Sequence, residues 1–131
     1  MSNPQITDQA GTLAIGEVEC FGDCDIVAKH RAIIHAYDRT RVTIPKGNRY
    51  VVVHAHDHAE VEAESGQVFA DGWARVFLSG AAGAHACGRS LIIADGRSSV
   101  VLVGGAPTIR QASQSARIEC GNIDVELRGM K

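Results

Sequence analysis

Apolar and small residues recur along this chain with a period of eight, a unit that we call the octad. The first position of each octad is apolar, the third is apolar or small and the seventh is small, so inward and outward positions alternate as in a β-strand. The first positions are Val18, Ile26, Ile34, Val42, Val53, Val61, Val68, Val76, Ala84, Ile92 and Val100. The fifth position is mostly Gly or Asp, which permits a sharp turn. The pattern therefore predicts short strands joined by tight corners.

A unit of eight residues cannot bury its own apolar face, so successive octads must stack and share one core. This requirement predicts an all-β, single-domain β-solenoid. The inward side chains are mostly Ala, Val and Ile, which fill a narrow slot and would leave voids in a wide one, so two octads per coil are favoured over three. We expect octad repeats over residues 18–107, an N-terminal cap over 1–17 and degenerate coils or a cap over 108–131.

Two segments break the octad pattern. Residues 44–50, with Pro45 and Gly47, lengthen one unit by three residues and predict a loop. This loop is either a simple bulge or a binding loop, since loops often carry function. Residues 65–67 shorten a later unit by one residue and predict a tightened corner.

The octads at residues 53–60, 68–75 and 92–99 read VHAHDHAE, VFADGWAR and IIADGRSS. They resemble the Val-x-Ala-x-Gly-Ser-Ala octads of bacterial and phage β-solenoid proteins. They are also similar in period to the octapeptides of bacterial ice nucleation proteins, which stack as sixteen-residue coils. The resemblance covers roughly residues 18–107 and implies the architecture and a bacterial or phage origin. The Thr-x-Thr ladders of ice-binding solenoids are absent, so that activity is not implied.

The overall charge is close to balanced. Lys and Arg together number 13 and Asp and Glu 15, which gives a net charge of −2 and argues against direct nucleic-acid binding. The N-terminal residues lack the charged start and apolar run of a signal peptide, and no apolar segment is long enough to span a bilayer. We therefore expect a cytoplasmic protein of a bacterium or infected host, or a virion-associated one.

Three imidazoles at alternate positions, His54, His56 and His58, are the candidate metal ligands. On one strand they would share a face, about 7 Å apart, but Asp57 at the corner position could direct His58 elsewhere. Zinc needs further ligands. The additional candidates, from stacked coils, are His35, His85 and Cys87. The alternative is that His simply occupies outward octad positions, and no cofactor is predicted. Cys20 and Cys24 fall at inward positions and are predicted to be reduced core residues.

Apolar residues at outward positions predict a contact surface. They are Phe69, Trp73, Phe77, Ile93 and Ile109. With two octads per coil, Phe77, Ile93 and Ile109 would share one column. A contiguous exposed apolar patch usually marks association with another protein. The alternative is a cap segment that folds back over the patch.

A second candidate surface is the acidic row Glu60, Glu62 and Glu64, which alternate along one predicted strand. The ordinary interpretation is a solvated surface. The functional interpretation is a docking face for a partner of complementary charge.

The sequence favours a non-enzymatic function. No Gly-x-Ser-x-Gly elbow, His-Glu-x-x-His helix or phosphate-binding glycine loop occurs. The main hypothesis is an oligomeric protein-interaction or structural component, whose partner is a further copy or a host or phage protein. The alternative is a phage or mobile-element inhibitor of a host defence or nucleic-acid-processing complex, as anti-CRISPR proteins or DNA mimics are, with the acidic row as its support. A metal-dependent site at His54 and His56 is a third hypothesis.

Overall fold

The structure is a computed structural model that describes residues 5–7, 10–14, 16–104, 107–111, 113–120 and 126–128. These residues form short β-strands and no helix, so none belongs to a helix that could cross a membrane. The strands are β1 (Gln5–Thr7), β2 (Ala10–Ala14), β3 (Glu17–Phe21), β4 (Asp25–Ala28), β5 (Ile33–Ala36), β6 (Arg41–Ile44), β7 (Val52–Ala55), β8 (Glu60–Ala63), β9 (Gln67–Ala70), β10 (Arg75–Leu78), β11 (Gly83–Ala86), β12 (Leu91–Ala94), β13 (Ser99–Leu102), β14 (Thr108–Gln111), β15 (Arg117–Cys120) and β16 (Glu126–Arg128).

Successive strands alternate between two parallel sheets. Sheet A contains the odd-numbered strands from β1 to β15 in order, and sheet B contains the even-numbered strands from β2 to β16. Each strand pairs with the strand two further along the chain, as Val76 of β10 does with Ile92 of β12, sixteen residues later. One strand from each sheet, with the corners between them, therefore makes one coil. The predicted all-β solenoid is confirmed.

The core is a thin aliphatic slot between the two sheets. Alternate residues of each central strand point inward, as Val76 and Leu78 do in β10. The first octad positions supply Val and Ile and the third positions mostly supply Ala, and nearly all are fully buried. Such small side chains let the two sheets pack closely without voids. Each buried Val or Ile stabilises the fold by about 1.5–3 kcal/mol. The first octad positions therefore make the main apolar contribution to stability.

Cys20 and Cys24 are core residues, as predicted. Both are buried, and neither forms a disulfide. Burial, with a smaller contribution from the neighbouring Cys24, raises the pKa of the Cys20 thiol to about 12. The Cys24 thiol donates a hydrogen bond to the carbonyl of Phe21 at 3.0 Å. Cys20 therefore acts as a small apolar side chain and not as a reactive group.

The corners share one backbone design. The seventh octad residue donates a hydrogen bond to the carbonyl of the fourth, as Thr40 N does to Tyr37 O at 3.2 Å, which closes a β-turn. The fifth residue has a positive φ, as Asp38 does at 59°. All positive-φ residues in the described chain lie at corners: Gly16, Gly22, His30, Asp38, Gly47, Asp57, Gly66, Gly72, Gly80, Gly88 and Gly96. Gly adopts this conformation freely, and Asp and His tolerate it better than most residues.

The corners also connect one coil to the next. At several of these corners, the residue that follows the positive-φ residue donates its backbone N–H to a carbonyl of the preceding coil. The acceptor is the carbonyl of that coil's own positive-φ residue, as in Trp73 N to Asp57 O at 2.8 Å and Arg89 N to Gly72 O at 2.7 Å. The carboxylate of Asp57 adds a further bond, accepting from Asp38 N at 3.1 Å. Hydrogen bonding between coils therefore continues through the turns that join the sheets.

The two breaks in the octad pattern lie at the same corner, one coil apart. Paired residues of β5 and β7 are nineteen apart in sequence, whereas those of β7 and β9 are fifteen apart. The Ser65 hydroxyl of the shortened corner donates to Pro45 O at 2.7 Å and accepts from Asn48 N at 2.9 Å. The short corner therefore packs against the loop of the lengthened one, and the strands on both sides stay in register.

Ile109 lies in the core, so its predicted position in an exposed apolar column is wrong. It is fully buried and pairs with the inward residue Ile92. One residue more than an octad separates Val100 from Ile109, which moves Ile109 from an outward to an inward position. Pro107, which cannot donate a backbone hydrogen bond, lies in this lengthened corner.

The predicted end caps lie partly outside the described residues. Within them, β1 and β2 pair in parallel with β3 and β4, and β14, β15 and β16 continue the sheets at the other end. The described parts of residues 1–17 and 108–131 therefore extend the coil stack.

Gly88→Ala should destabilise the protein more than Gly47→Ala, although both glycines have positive φ. A Cβ at Gly88 would lie 2.6 Å from the backbone nitrogen of Gly72 in the preceding coil, whereas a Cβ at Gly47 meets nothing within 4 Å. The left-handed conformation alone costs about 1–2 kcal/mol, and overpacking adds about 1–3 kcal/mol. We expect urea unfolding to show losses of about 1–2 kcal/mol for Gly47→Ala and about 2–5 kcal/mol for Gly88→Ala. Equal losses would contradict close coil contact at the corner.

Candidate functional site

The outward residues of the two sheets differ in charge. In β5, β7, β9, β11 and β13 of sheet A they include no Asp, Glu, Lys or Arg, and we call this surface the neutral face. Its residues are Ile33, His35, Val52, His54, Gln67, Phe69, Gly83, His85, Ser99 and Val101. The charged residues at the equivalent positions of β4, β6, β8, β10 and β12 in sheet B are Asp25, Arg41, Glu60, Glu62 and Arg75. Over these central coils, the solenoid therefore has one charged side and one neutral side.

Four rings of the neutral face form a stack along the solenoid axis, which we call the ring stack. The rings belong to His35, His54, Phe69 and His85, which occupy the same position in successive coils. Neighbouring centroids are 4.9, 5.0 and 4.6 Å apart, and neighbouring planes are tilted by 10°, 14° and 10°. This spacing is that of paired strands, about 4.8 Å. In-register pairing of the backbone is therefore what brings the rings into contact.

A shorter stack lies beside the first, where sheet A enters its corner. The ring centroids of Phe21 and Tyr37 are 4.9 Å apart, and those of Tyr37 and His56 are 5.0 Å apart. An aromatic pair contributes about 0.5–1.5 kcal/mol beyond the area it buries. Because the ring planes face one another, both stacks present ring edges and imidazole nitrogens outward.

Protonation is disfavoured at the centre of the ring stack. Burial lowers the pKa of His54, and the nearby imidazoles of His35 and His56 lower it further, against an opposing contribution from Glu17. The Glu17 carboxylate lies 2.8 Å from Nε2 of His35. The neutral imidazole of His54 therefore dominates at neutral pH.

The three imidazoles predicted to bind metal do not converge. His54 lies in the ring stack and His56 in the shorter stack, while the ring of His58 faces Trp73 with centroids 6.4 Å apart. The positive φ of Asp57 turns the chain between His56 and His58. In the described part of the chain, no group of three or more His, Cys, Asp or Glu side chains is placed to hold a metal ion. The geometry gives these imidazoles a stacking role instead.

The predicted apolar contact residues are divided among different surfaces. Phe69 stands in the neutral face and is 38% exposed, and Trp73, 53% exposed, lies at the next corner. The guanidinium of Arg89 lies 5.3 Å from the Trp73 ring centroid. Phe77 and Ile93 are half-buried neighbours on sheet B. With Ile109 in the core, the predicted column on sheet B is reduced to these two side chains.

The acidic row lies on β8 of sheet B and at the corner that follows. The Glu60 carboxylate is 3.5 Å from the guanidinium of Arg41, and Arg75 is its strand neighbour on the other side. Glu62 lies between Thr43 and Phe77 in the same way. Charges in the column of Asp25, Arg41, Glu60 and Arg75 therefore alternate in sign along the solenoid, and the acidic row itself occupies a single coil.

Sequence reasoning missed the ring stack, although its signal was present. Rings recur at the second position of every other octad from Ile34 to Ala84, with a Phe in place of His at one position. Alternate octads share a sheet in a two-strand coil, so these residues had to lie side by side. The neutral character of sheet A emerges only when its octads are read separately from those of sheet B.

Comparisons with protein-family models, with curated proteins and with solved structures found no match to this chain.

Lowering the pH should destabilise the native protein through His54. Its pKa in the folded protein lies below the ordinary value of 6.5, so the unfolded chain binds more protons between the two values and native stability falls as the pH drops through that range. His54→Phe should weaken this dependence, because a Phe ring can stack between His35 and Phe69 without gaining charge. Urea unfolding on both sides of pH 6.5 measures the effect. Equal pH dependence in both proteins, or an NMR titration of His54 at or above 6.5, would contradict the proposed environment.

Proposed function

We propose that the protein is a non-enzymatic structural or interaction component that self-associates through the neutral face. The single observation that carries the proposal is the absence of Asp, Glu, Lys and Arg from the outward residues of five consecutive sheet A strands. The interior of protein interfaces is depleted in charged residues and enriched in aromatic ones. The octad resemblance supports a bacterial or phage-encoded protein, in the cytoplasm or associated with a virion.

The composition of the neutral face favours contact with protein over exposure to water. Phe69, the side chain at its centre, is 38% exposed on the outer surface. The half-buried Ile33, Val52 and Val101 surround the ring stack with further apolar area. The ring edges and imidazole nitrogens can donate or accept hydrogen bonds at the same time. Such a surface, apolar with a few neutral polar groups, resembles the core of an interface.

A second copy of this chain is the occupant that the neutral face favours, because a face without charged side chains does not repel its own copy. A two-fold axis parallel to the strands would reverse one solenoid relative to the other and bring the two Phe69 rings together at the centre. At the ends of the face, that arrangement places Glu17 opposite Arg117 in one column and Glu19 opposite Glu119 in the next. The charge pairs at the ends offset one another, so the contact depends on the uncharged centre. Such an interface is self-complementary, as two-fold contacts require.

The size of the face sets the expected strength of the dimer. All eight strands of sheet A, of about four residues each, give a flat surface of about 13 by 34 Å, of which the five strands of the neutral face make up about 13 by 19 Å. Two copies would bury about 900 Å² in total over the whole of sheet A and about 500 Å² over the neutral face alone, and both areas are below the lower limit of about 1,000 Å² for specific, stable interfaces. The dimer is therefore expected to dissociate on dilution.

The alternative proposal, an inhibitor that mimics nucleic acid, has weaker support. A mimic needs acidic groups repeated along a whole face, at phosphate-like spacing. Glu60, Glu62 and Glu64 occupy a single coil, and Glu60 is flanked by Arg41 and Arg75. These contacts favour a solvated surface on sheet B.

Phe69→Arg should abolish dimerisation, whereas Phe77→Arg should leave it intact. Both changes place a guanidinium on an outer face, but Phe69 lies on sheet A and Phe77 on sheet B. In the proposed dimer, Phe69→Arg would set two guanidinium groups against each other at the centre, where like charges are unfavourable. Light scattering should give a mass that rises towards twice the chain mass with increasing concentration for the parent protein and Phe77→Arg, and the monomer mass at every concentration for Phe69→Arg.

Two outcomes would overturn the proposal, and a third would require a second variant. A parent protein that stays monomeric at high concentration excludes self-association. Loss of the dimer in Phe77→Arg alone would move the interface to the Phe77 and Ile93 surface of sheet B. Loss in both variants, with circular dichroism showing unfolding, would assign the effect to stability; Gln67→Arg, an exposed polar position of the same face, then serves as the second test.

A further inference from the structure

We propose that the loop of residues 45–50 and the neighbouring corner at His30 and Arg31 form a binding site for the phosphate group of a small organic phosphate. The site lies at a corner between sheet B and sheet A and does not depend on self-association. A surface depression of ≈ 340 Å³ is lined there by His30, Arg31, Gly47, Asn48, Arg49 and Tyr50. This loop is the largest departure from the octad pattern, so its residues are not dictated by coil stacking.

The loop is held in one conformation by Asn48. The Asn48 side-chain amide donates to the carbonyls of Pro45 and Lys46 at 3.0 and 3.3 Å. Its side-chain oxygen accepts from the backbone N–H of His30 in the preceding coil at 2.9 Å. Its own N–H donates to the Ser65 hydroxyl in the following coil. The loop is therefore tied to the coils on both sides, and a preorganised site loses less entropy when a ligand binds.

The lining is basic and contains no carboxylate. The guanidinium carbons of Arg31 and Arg49 lie 5.1 and 4.9 Å from the centroid of the Tyr50 ring. Arg49 also donates to the Tyr50 hydroxyl at 2.9 Å. Among the described residues, neither guanidinium forms an ion pair with Asp or Glu. Two guanidinium groups are thus gathered around one exposed ring with their charges uncompensated.

The charge and the size of the depression both favour an organic phosphate monoester as the ligand. Guanidinium groups bind phosphate oxygens through paired N–H donors, and two of them match the two negative charges of a phosphate monoester. The depression, at ≈ 340 Å³, is in the lower range of small-molecule sites and exceeds what a bare phosphate would fill. The Tyr50 side chain is 54% exposed, and the part of its ring that the two guanidinium groups leave uncovered can contact an organic group beside the phosphate.

Phenyl phosphate, titrated into the isotope-labelled full chain and followed by NMR, is the direct test. We expect saturable shifts confined to residues 30–31 and 46–50. Arg31→Gln combined with Arg49→Gln should weaken binding by about tenfold or more, since each removes charged hydrogen bonds to the ligand. Arg97→Gln, an exposed arginine at the same corner of a later coil, should leave the affinity unchanged. Added salt should weaken binding because the site is exposed.

The outcomes separate the parts of the proposal. Stronger binding of phenyl phosphate than of inorganic phosphate supports an organic phosphate, and equal binding overturns the role of the Tyr50 ring. Absence of saturable shifts, equal weakening by Arg97→Gln, or unchanged affinity in the double variant would each overturn the site. Both arginine side chains are exposed, so retained strand amide shifts should accompany every variant and separate lost binding from lost folding.

Discussion

The turn of the chain at each corner is the constraint on which the rest of this structure depends. A positive φ at the fifth octad position turns the backbone so that its carbonyl can accept a hydrogen bond from the next coil, as Gly72 does from Arg89. The bond fixes the distance and the register between coils at the point where the strand pairing is interrupted. Small residues at the seventh position then let the turn close against the core.

Register converts a simple sequence repeat into columns of identical environments. Inward columns become an aliphatic core of Val, Ile and Ala, and outward columns bring side chains of successive coils into contact. The ring stack through His54 and Phe69 and the alternating charges around Glu60 are both products of this stacking. An insertion in such a molecule must be compensated nearby, and the Ser65 contact with the loop shows how one coil absorbs the irregularity of its neighbour. The two proposed sites follow from these features. The neutral face is formed by outward columns of sheet A, and the phosphate site is formed where the loop of residues 45–50 interrupts the octad pattern.

The fold was predictable because the repeat and the fold express the same physical requirement. Alternating apolar positions and corner residues are visible in every octad, and stacking is the only way to bury them. Surface features were less accessible because they depend on which octads become neighbours. Ile109 was misplaced by a single extra residue near Pro107, since one residue exchanges inward and outward positions. The imidazoles at His54, His56 and His58 appeared as one cluster in sequence, but a corner and two columns separate them in space.

Contacts between ring protons across coils test the stacking register most directly. The account predicts nuclear Overhauser effects from the Phe69 ring to the rings of both His54 and His85, whose centroids lie 5.0 and 4.6 Å away. It also predicts none between Phe69 and Phe77, which belong to successive octads on different sheets. Contacts from Phe69 to Phe77 in place of those to His54 and His85 would contradict the two-strand coil and every column derived from it.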